Sequence, residues 1–262
     1  MFKLCGFLIL ALSSLPIFAL GETGHRVTGA IAELYLTQQS KAALANILGN
    51  ESLAEISTYA DEMRSSPEHF WQKVASPYHY VTVSKGEIYK ATDAPKHGDA
   101  FFALDKYSKI VKDPKSSKAD KVLAIKMIVH LIGDLHQPLH VGNGLDRGGN
   151  SVKVNYFNLT TNLHSVWDSK MIDATKLSFT ELTLWLNEKI SKEQLTAWSN
   201  IDPLIWIKES AALRETIYPK SLEDSSLGYG YRYEQLPKLK LQLQKAGVRI
   251  AAYLNNLLKK KG

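Results

Sequence analysis

The chain has 262 residues and a single cysteine, Cys5, so an intramolecular disulfide is excluded. It has no collagen-like glycine period, no sustained heptads, no internal repeats and no low-complexity linker. Beyond the first twenty residues, no apolar run is long enough to cross a bilayer. Disorder is excluded by composition, with 45% hydrophobic and 22% charged residues. Charge of one sign is only modestly in excess. The net formal charge of +6 hints at an anionic partner, but no stretch concentrates it as a basic nucleic-acid-binding module would.

The cysteine belongs to a special segment. Met1–Ala19 reads MFKLCGFLILALSSLPIFA: a positive start at Lys3, an apolar run from Leu4 to Leu12, breakers at Ser13, Ser14 and Pro16, and small Ala19 before a cut. This is the layout of a secretory signal peptide; the run is short for an anchor. The expected division is residues 1–19 removed on export, to the periplasm or outside, and residues 20–262 as one working domain. Cleavage would remove Cys5 and Lys3, leaving 243 residues of net charge +5 that begin at Leu20. Such a chain depends on packing, or on metal, for its stability.

Helical periodicity dominates the rest of the chain. Val27, Ile31, Leu34 and Tyr35 recur at spacings of three and four, as do Val122, Ile125, Met127, Ile128 and Leu131, and later Leu239, Leu241, Leu243, Val248, Ile250 and Leu254. Further helical stretches are predicted near 40–64, 98–112, 163–173, 178–198 and 202–218. Two segments read as short strand pairs: Tyr78 to Tyr89 with a turn at Lys85-Gly86, and Val152 to Phe157 after the glycine-rich Gly142–Asn150 loop. A single, mainly helical domain with short β-hairpins is expected, and the Lys259–Lys261 end reads as a solvated tail.

Histidine carries the chemistry. His130, Asp134, His136 and His140 form H-x-x-x-D-x-H-Q-P-L-H. Four residues apart on a helix, His130 and Asp134 share a face, and Pro138 is expected to end that helix and let His140 curl back. His164 and Asp168 repeat the spacing in H-S-V-W-D. Imidazole nitrogen and carboxylate oxygen are preferred zinc ligands. One such pair is common on surface helices; two pairs plus an in-line histidine are a far more specific signal. His25, Asp61 and His79, each taken alone, fit solvated or capped structural residues as well.

In combination the motifs G-x-x-G-H-R, A-D-x-x-R, H-Y-V, H-x-x-x-D-x-H-Q-P-L-H, D-R-G-G-N and H-x-x-W-D occur in one order. With them the chain resembles the zinc-dependent single-strand nucleases, the S-one/P-one nuclease family that includes mung bean nuclease. The resemblance spans nearly all of the mature chain. It implies the mainly α-helical fold shared with zinc phospholipase C and a cleft holding three Zn²⁺ ions. Carried across, Asp61, His79, His130 and Asp134 would hold one zinc. The amine and carbonyl of Leu20, with His25 and a bridging Asp134, would hold the second. His140, His164 and Asp168 would hold the third. The family usually begins with tryptophan; leucine retains the backbone ligands but not the indole.

The same resemblance implies hydrolysis of single-stranded DNA and RNA to 5′-phosphorylated products by a zinc-activated hydroxide, with 3′-nucleotides as further substrates and a monomeric enzyme free of the membrane. Asp134 and Arg64 would be catalytic, Arg64 facing the phosphate; its other reading is a surface ion pair. Tyr80 would stack a base, though a core tyrosine fits equally. Thr82 stands where some members carry a base-binding acid. Asn150 would contact nucleotide or, the preferred reading, shape its loop. His136 has a supporting or packing role, and His69 and His97 match nothing. Two rivals remain: a zinc phospholipase C, which typically has glutamate at the position of Asp168, and a non-catalytic secreted zinc-binding protein.

Overall fold

The computed structural model describes residues 20–220 and 225–259. The expected signal peptide and the last two lysines of the tail lie outside the described residues. Among the described residues, eight helices have seven or more residues: α1 (Glu22–Leu34), α2 (Gln38–Leu48), α3 (Ala100–Lys112), α4 (Lys118–Asp134), α5 (Phe179–Asn187), α6 (Lys192–Trp198), α7 (Pro203–Arg214) and α8 (Tyr229–Leu257). The strands are short: β1 (Val81–Thr82), β2 (Val141–Gly142), β3 (Lys153–Tyr156), β4 (Leu159–Asn162) and β5 (Ser226–Leu227). The mainly helical expectation holds.

Local chemistry sets the helix starts. Side-chain oxygens of Thr37, Asp99, Ser117 and Asp202 accept backbone N–H bonds at the starts of α2, α3, α4 and α7. Ser178 and Ser191 form capping boxes with Glu181 and Gln194. Those two caps explain why the 178–198 stretch is two helices: Ser191 begins a new one rather than continuing the old. The 40–64 stretch is likewise broken after α2 and restarted by a Ser52 cap.

Helix α4 is the spine. Every residue from Met127 to Asp134 is buried, as befits a helix enclosed on all sides rather than lying on a surface. It packs against α1, α3 and α8. One apolar cluster gathers around Ile125, Ile128, Leu131, Tyr107 and Trp206; a second joins Val27, Ile31, Trp167, Met171 and Leu243. The cleft that gathers the histidines lies where α1 and α4 meet the segments on either side. Helix α8 runs through 29 residues with Pro237 inside it.

One sequence expectation is overturned. Tyr78–Tyr89 is not a hairpin. Ser76–His79 is a short 3₁₀ turn, and β1 pairs in parallel with β2, Val81 opposite Val141. The expected turn is present, with Glu87 N–H bonded to Ser84 and Gly86 at φ 79°, but the chain beyond it does not return along β1. The buried Arg214 guanidinium donates to the carbonyls of both Val83 and Val141; this non-local tie takes the place of a local partner strand. Val152–Phe157 supplies only one strand, β3; its antiparallel partner β4 lies beyond the expected segment, and the hairpin turns around Phe157 and Asn158, both at positive φ. Helix α4 also stops earlier than Pro138 requires. It ends at Asp134, and Pro138 opens a 3₁₀ turn that delivers His140.

Candidate metal and substrate cleft

The folded chain gathers its predicted ligand residues into three groups whose donor atoms lie within 4.8 Å of one another: His25 with His130 and Asp134; Asp61 with His79 and His130; and His140 with His164 and Asp168. Asp134 sits at the junction. Its carboxylate is 3.0 Å from His130 Nε2, 3.1 Å from His79 Nδ1, 3.2 Å from His140 Nδ1 and 3.4 Å from His25 Nε2. Asp61 is farther out, 3.8 Å from both His25 and His79. His164 Nε2 is 2.9 Å from Asp168.

Each element contributes by its geometry. His25 reaches α4 because position 133 is glycine: a Cβ there would lie 3.0 Å from His25 Nδ1. The two rings His25 and His130 then stack at 4.0 Å. The pair His164 and Asp168 straddles a short helical turn and a π-helical turn at Val166–Lys170, a feature often found at functional sites. Gly148 sits at φ 61°, and a side chain on it would collide with the Leu139 carbonyl. That glycine conformation aims its own carbonyl at His164 Nδ1, 2.7 Å away.

Three imidazoles are anchored the same way. His130 Nδ1 bonds the Ser57 carbonyl at 2.8 Å, His140 Nδ1 the His79 carbonyl at 2.7 Å, and His164 Nδ1 the Gly148 carbonyl. A backbone acceptor on one ring nitrogen fixes the tautomer and frees the other nitrogen to bind a metal. The atoms left over fit a metal. His25 Nε2, Asp61 Oδ1, Asp134 Oδ1, His140 Nε2, His164 Nε2 and Asp168 Oδ2 are all buried without a hydrogen-bond partner. Buried polar atoms are rarely left so, and imidazole with carboxylate suits zinc.

The electrostatics agree. Burial works against the charged form of His130 and of His140, but Asp134 outweighs it in both, with Asp61 and Asp168 helping, and pushes each up to about 9. Burial would raise the Asp134 carboxyl, yet the charges of His130 and His140 hold it well below its usual range. His25 and His79 are lowered, chiefly by burial. Three buried or nearly buried carboxylates thus face five imidazoles, a donor set that fits metal cations.

Over this cage opens a cavity of about 370 Å³ lined by Arg64, His79, Tyr80, Thr82, His140, Arg147, Asn150 and His164, among others. All four predicted substrate-side residues thus line one cavity. The Arg64 guanidinium is 3.7 Å from Asp61, half-exposed at the rim. Tyr80 is 39% exposed, so its ring is not a core ring. Asn150 donates to the Arg147 carbonyl at 2.9 Å, a loop-shaping contact. Leu20 lies with Val27, Ile31 and Ile172 in the second apolar cluster. His136 stands apart from the ligand groups. Its Nδ1 bonds the Ile132 carbonyl, its Nε2 faces Arg249 at 2.9 Å, and its ring packs near Trp206. His69 and His97 are exposed.

Two participants escaped the sequence reading. Gln137 donates to Asp168 Oδ1 at 2.5 Å while its carbonyl oxygen receives the Leu139 N–H, so it orients a ligand carboxylate. Its presence inside the histidine motif was the available signal. Arg147, at φ 58°, lines the same cavity as Arg64; nothing in its spacing marked it.

A cage of this kind, with a cationic rim and a ring at its mouth, fits the class of hydrolases that act on phosphate esters. The family model for S1/P1 nuclease matches residues 20–259, and the chain belongs to that family. It is 30% identical to Endonuclease 4 of Arabidopsis thaliana, over 92% of this chain and 90% of that protein. It is also 30% identical to Nuclease S1 of Aspergillus oryzae, over 94% of each. Nuclease P1 of Penicillium citrinum is 27% identical, over 90% of this chain and 97% of that protein. The phospholipase and non-catalytic readings are not favoured by this membership. Among the described residues, no helix is long and apolar enough to cross a membrane.

Proposed function

We propose that the protein is an exported, three-zinc endonuclease that cuts single-stranded DNA and RNA to leave 5′-phosphates, and that also removes the phosphate of 3′-nucleotides. The observation that carries this reading is the set of buried, partnerless donor atoms on six residues beneath a cavity whose rim is cationic and aromatic. Asp61, His79, His130 and Asp134 would hold one ion, Leu20 with His25 and Asp134 a second, and His140, His164 and Asp168 a third. When bound, zinc would supply Lewis acidity toward the phosphate and a water acidic enough to attack at neutral pH.

The chain's own residues do the rest. Arg64, with its planar fork, orients the non-bridging phosphate oxygens and strengthens its contact as the phosphorus gains a fifth ligand. Tyr80 offers its exposed ring to a base, a contact that tolerates any base. Thr82 offers a hydroxyl where a carboxylate would impose stronger choice, so base preference is relaxed. Asn150 holds the loop that carries Arg147. Asp134 would be shared by two of the ions. A base reaches Tyr80 only by leaving its stack, which a duplex resists and a single strand does not. Removal of residues 1–19 would free the Leu20 amine, making export a condition of activity, and the working enzyme is monomeric.

The test pairs mass spectrometry of metal content and amino terminus with digestion of single-stranded DNA, RNA and duplex DNA. Three zinc ions per chain, a Leu20 start and single-strand cleavage abolished by chelation and restored by zinc are expected. Full activity after exhaustive chelation, or equal digestion of duplex, would overturn the reading.

A further inference from the structure

A second concave surface lies away from the cleft and shares none of its lining residues. It is a groove of about 960 Å³ between the end of α5, the start of α6 and the amino-terminal half of α8. Three cations line it: Lys189, Arg232 and Lys240. Among the described residues none of the three is in an ion pair; the ion pairs of this part of the molecule belong to Arg214, Lys245 and Arg249. Arg232 is tethered by one bond to the Ala174 carbonyl, and its Nε is buried with no partner. Burial lowers the proton affinity of the Lys240 ammonium, and the like charges of Lys189 and Arg232 lower it further. The three therefore share one field, and among the described residues no carboxylate forms an ion pair with any of them. Glu234, on the groove wall, pairs with none of them.

Beside the cations stand Tyr229 and Tyr233, 80% and 84% exposed. Four residues apart on α8, they present their rings on one face. Tyr231 between them turns inward, where its hydroxyl receives the Trp167 Nε1–H at 2.7 Å, one residue from Asp168. Pro237, also in the groove wall, removes the amide that would have bonded the Tyr233 carbonyl. A cluster of cations without ion pairs costs stability unless an anion is bound; Tyr229 rests edge-on against Phe157 at 4.7 Å and keeps most of its ring open to solvent, as does Tyr233.

From this we propose that the groove binds the phosphate backbone and bases of a single-stranded nucleic acid, so that a strand engaged in the cleft is also held at a distance from the cut. Unpaired cations track the backbone and sequence-tolerant rings stack bases, the pairing by which single strands are held without sequence choice. An apolar partner would want aliphatic side chains in place of three charges. The proposal rests on the nuclease reading for its consequence but not for its binding test.

The zinc-loaded full-length mature protein is compared with the variant Lys189→Ala/Tyr233→Ala/Lys240→Ala, three side chains with no bonding role in the fold. Fluorescence anisotropy with a labelled, hydrolysis-resistant phosphorothioate oligothymidylate about twenty nucleotides long reads binding directly. Steady-state kinetics on an ordinary strand of that length and on a dinucleotide read the consequence. Binding of the long strand should weaken about tenfold, with its salt slope reduced by roughly one unit. KM for the long strand should rise by the same factor while kcat, and all constants for the dinucleotide, stay unchanged. Unaltered affinity and salt slope overturn the proposal, and so does an equal loss on the dinucleotide, which would locate the effect in the cleft or the fold. If the wild type cleaves neither substrate, the nuclease reading fails, and the anisotropy result alone still decides the groove.

Discussion

Two histidines six residues apart show what buried polar groups can be for. His130 and His136 are both buried, at 0% and 1% exposure. His130 is pushed up to about 9, because Asp134 and Asp61 outweigh its burial. His136 is pulled down to about 3 by burial and by the Arg249 guanidinium. Burial is common to both; the sign of the neighbour decides. Around His136 nearly every polar atom is answered, Arg249 Nε being the exception: Arg249 bonds His136 and both oxygens of Glu209, Lys245 bonds Glu209, and Gln242 bonds the His136 carbonyl. Around His130 donor atoms of Asp61, Asp134 and His25 stay unanswered. The closed cluster is structural, and the open one is built for cations.

The sharpest way to break this contrast is Asp134→Asn. It removes the carboxylate that the two neighbouring ions would share, so bound zinc should fall by two per chain and activity by more than about a hundredfold. Elemental analysis and a single-strand digestion check both; retained zinc would end the bridging assignment. Next is Gln137→Leu, which frees Asp168 Oδ1. Loss of a supporting bond of this kind should weaken zinc at the third site about 10- to 100-fold, read by chelator competition, with the other two ions retained.

The opposite cluster should answer in stability instead. Arg249→Leu leaves His136 Nε2 and Glu209 without their main partner. It should cost about 2–4 kcal/mol in denaturant unfolding while zinc content stays unchanged. Zinc lost in proportion would mean that the clusters are coupled. The smallest effect concerns acid. Burial would raise the Glu209 carboxyl, but its bonds to Arg249 and Lys245 bring it down to about 2 from 4.5. A carboxyl depressed on folding contributes stability above its unfolded value and loses it as pH falls toward the folded one. In chelator, to remove the metal response, the Tm gap between wild type and Glu209→Gln should be full above about pH 5 and shrink to nothing near pH 2. A gap constant across that range would rule out the charge as its source.

Much of this was readable along the chain. The spacing of Ile125, Ile128 and Leu131 announced α4; the i, i+4 pairs His130/Asp134 and His164/Asp168 announced two ligand faces. Asp61, His79 and His25 were legible only through the ordered motifs of a family, because a lone histidine carries no period. The Tyr78–Tyr89 hairpin misread a local alternation whose partner strand lies some sixty residues on, at Val141. Long-range pairing leaves no local trace. The split of 178–198 was written in Ser191 and Gln194, a capping box within an otherwise apolar periodic run.

Sequence by itself determined the helical class, the ligand types and their order, since periodicity and side-chain chemistry are local properties. Which ring nitrogen is tied to a backbone carbonyl, and why His130 and His136 part ways, were decided only in three dimensions. Those outcomes depend on distances of a few ångströms between residues from α1, α4, α8 and the loops. At that range the field of a neighbouring charge, Asp134 or Arg249, overrides what a residue is when taken alone.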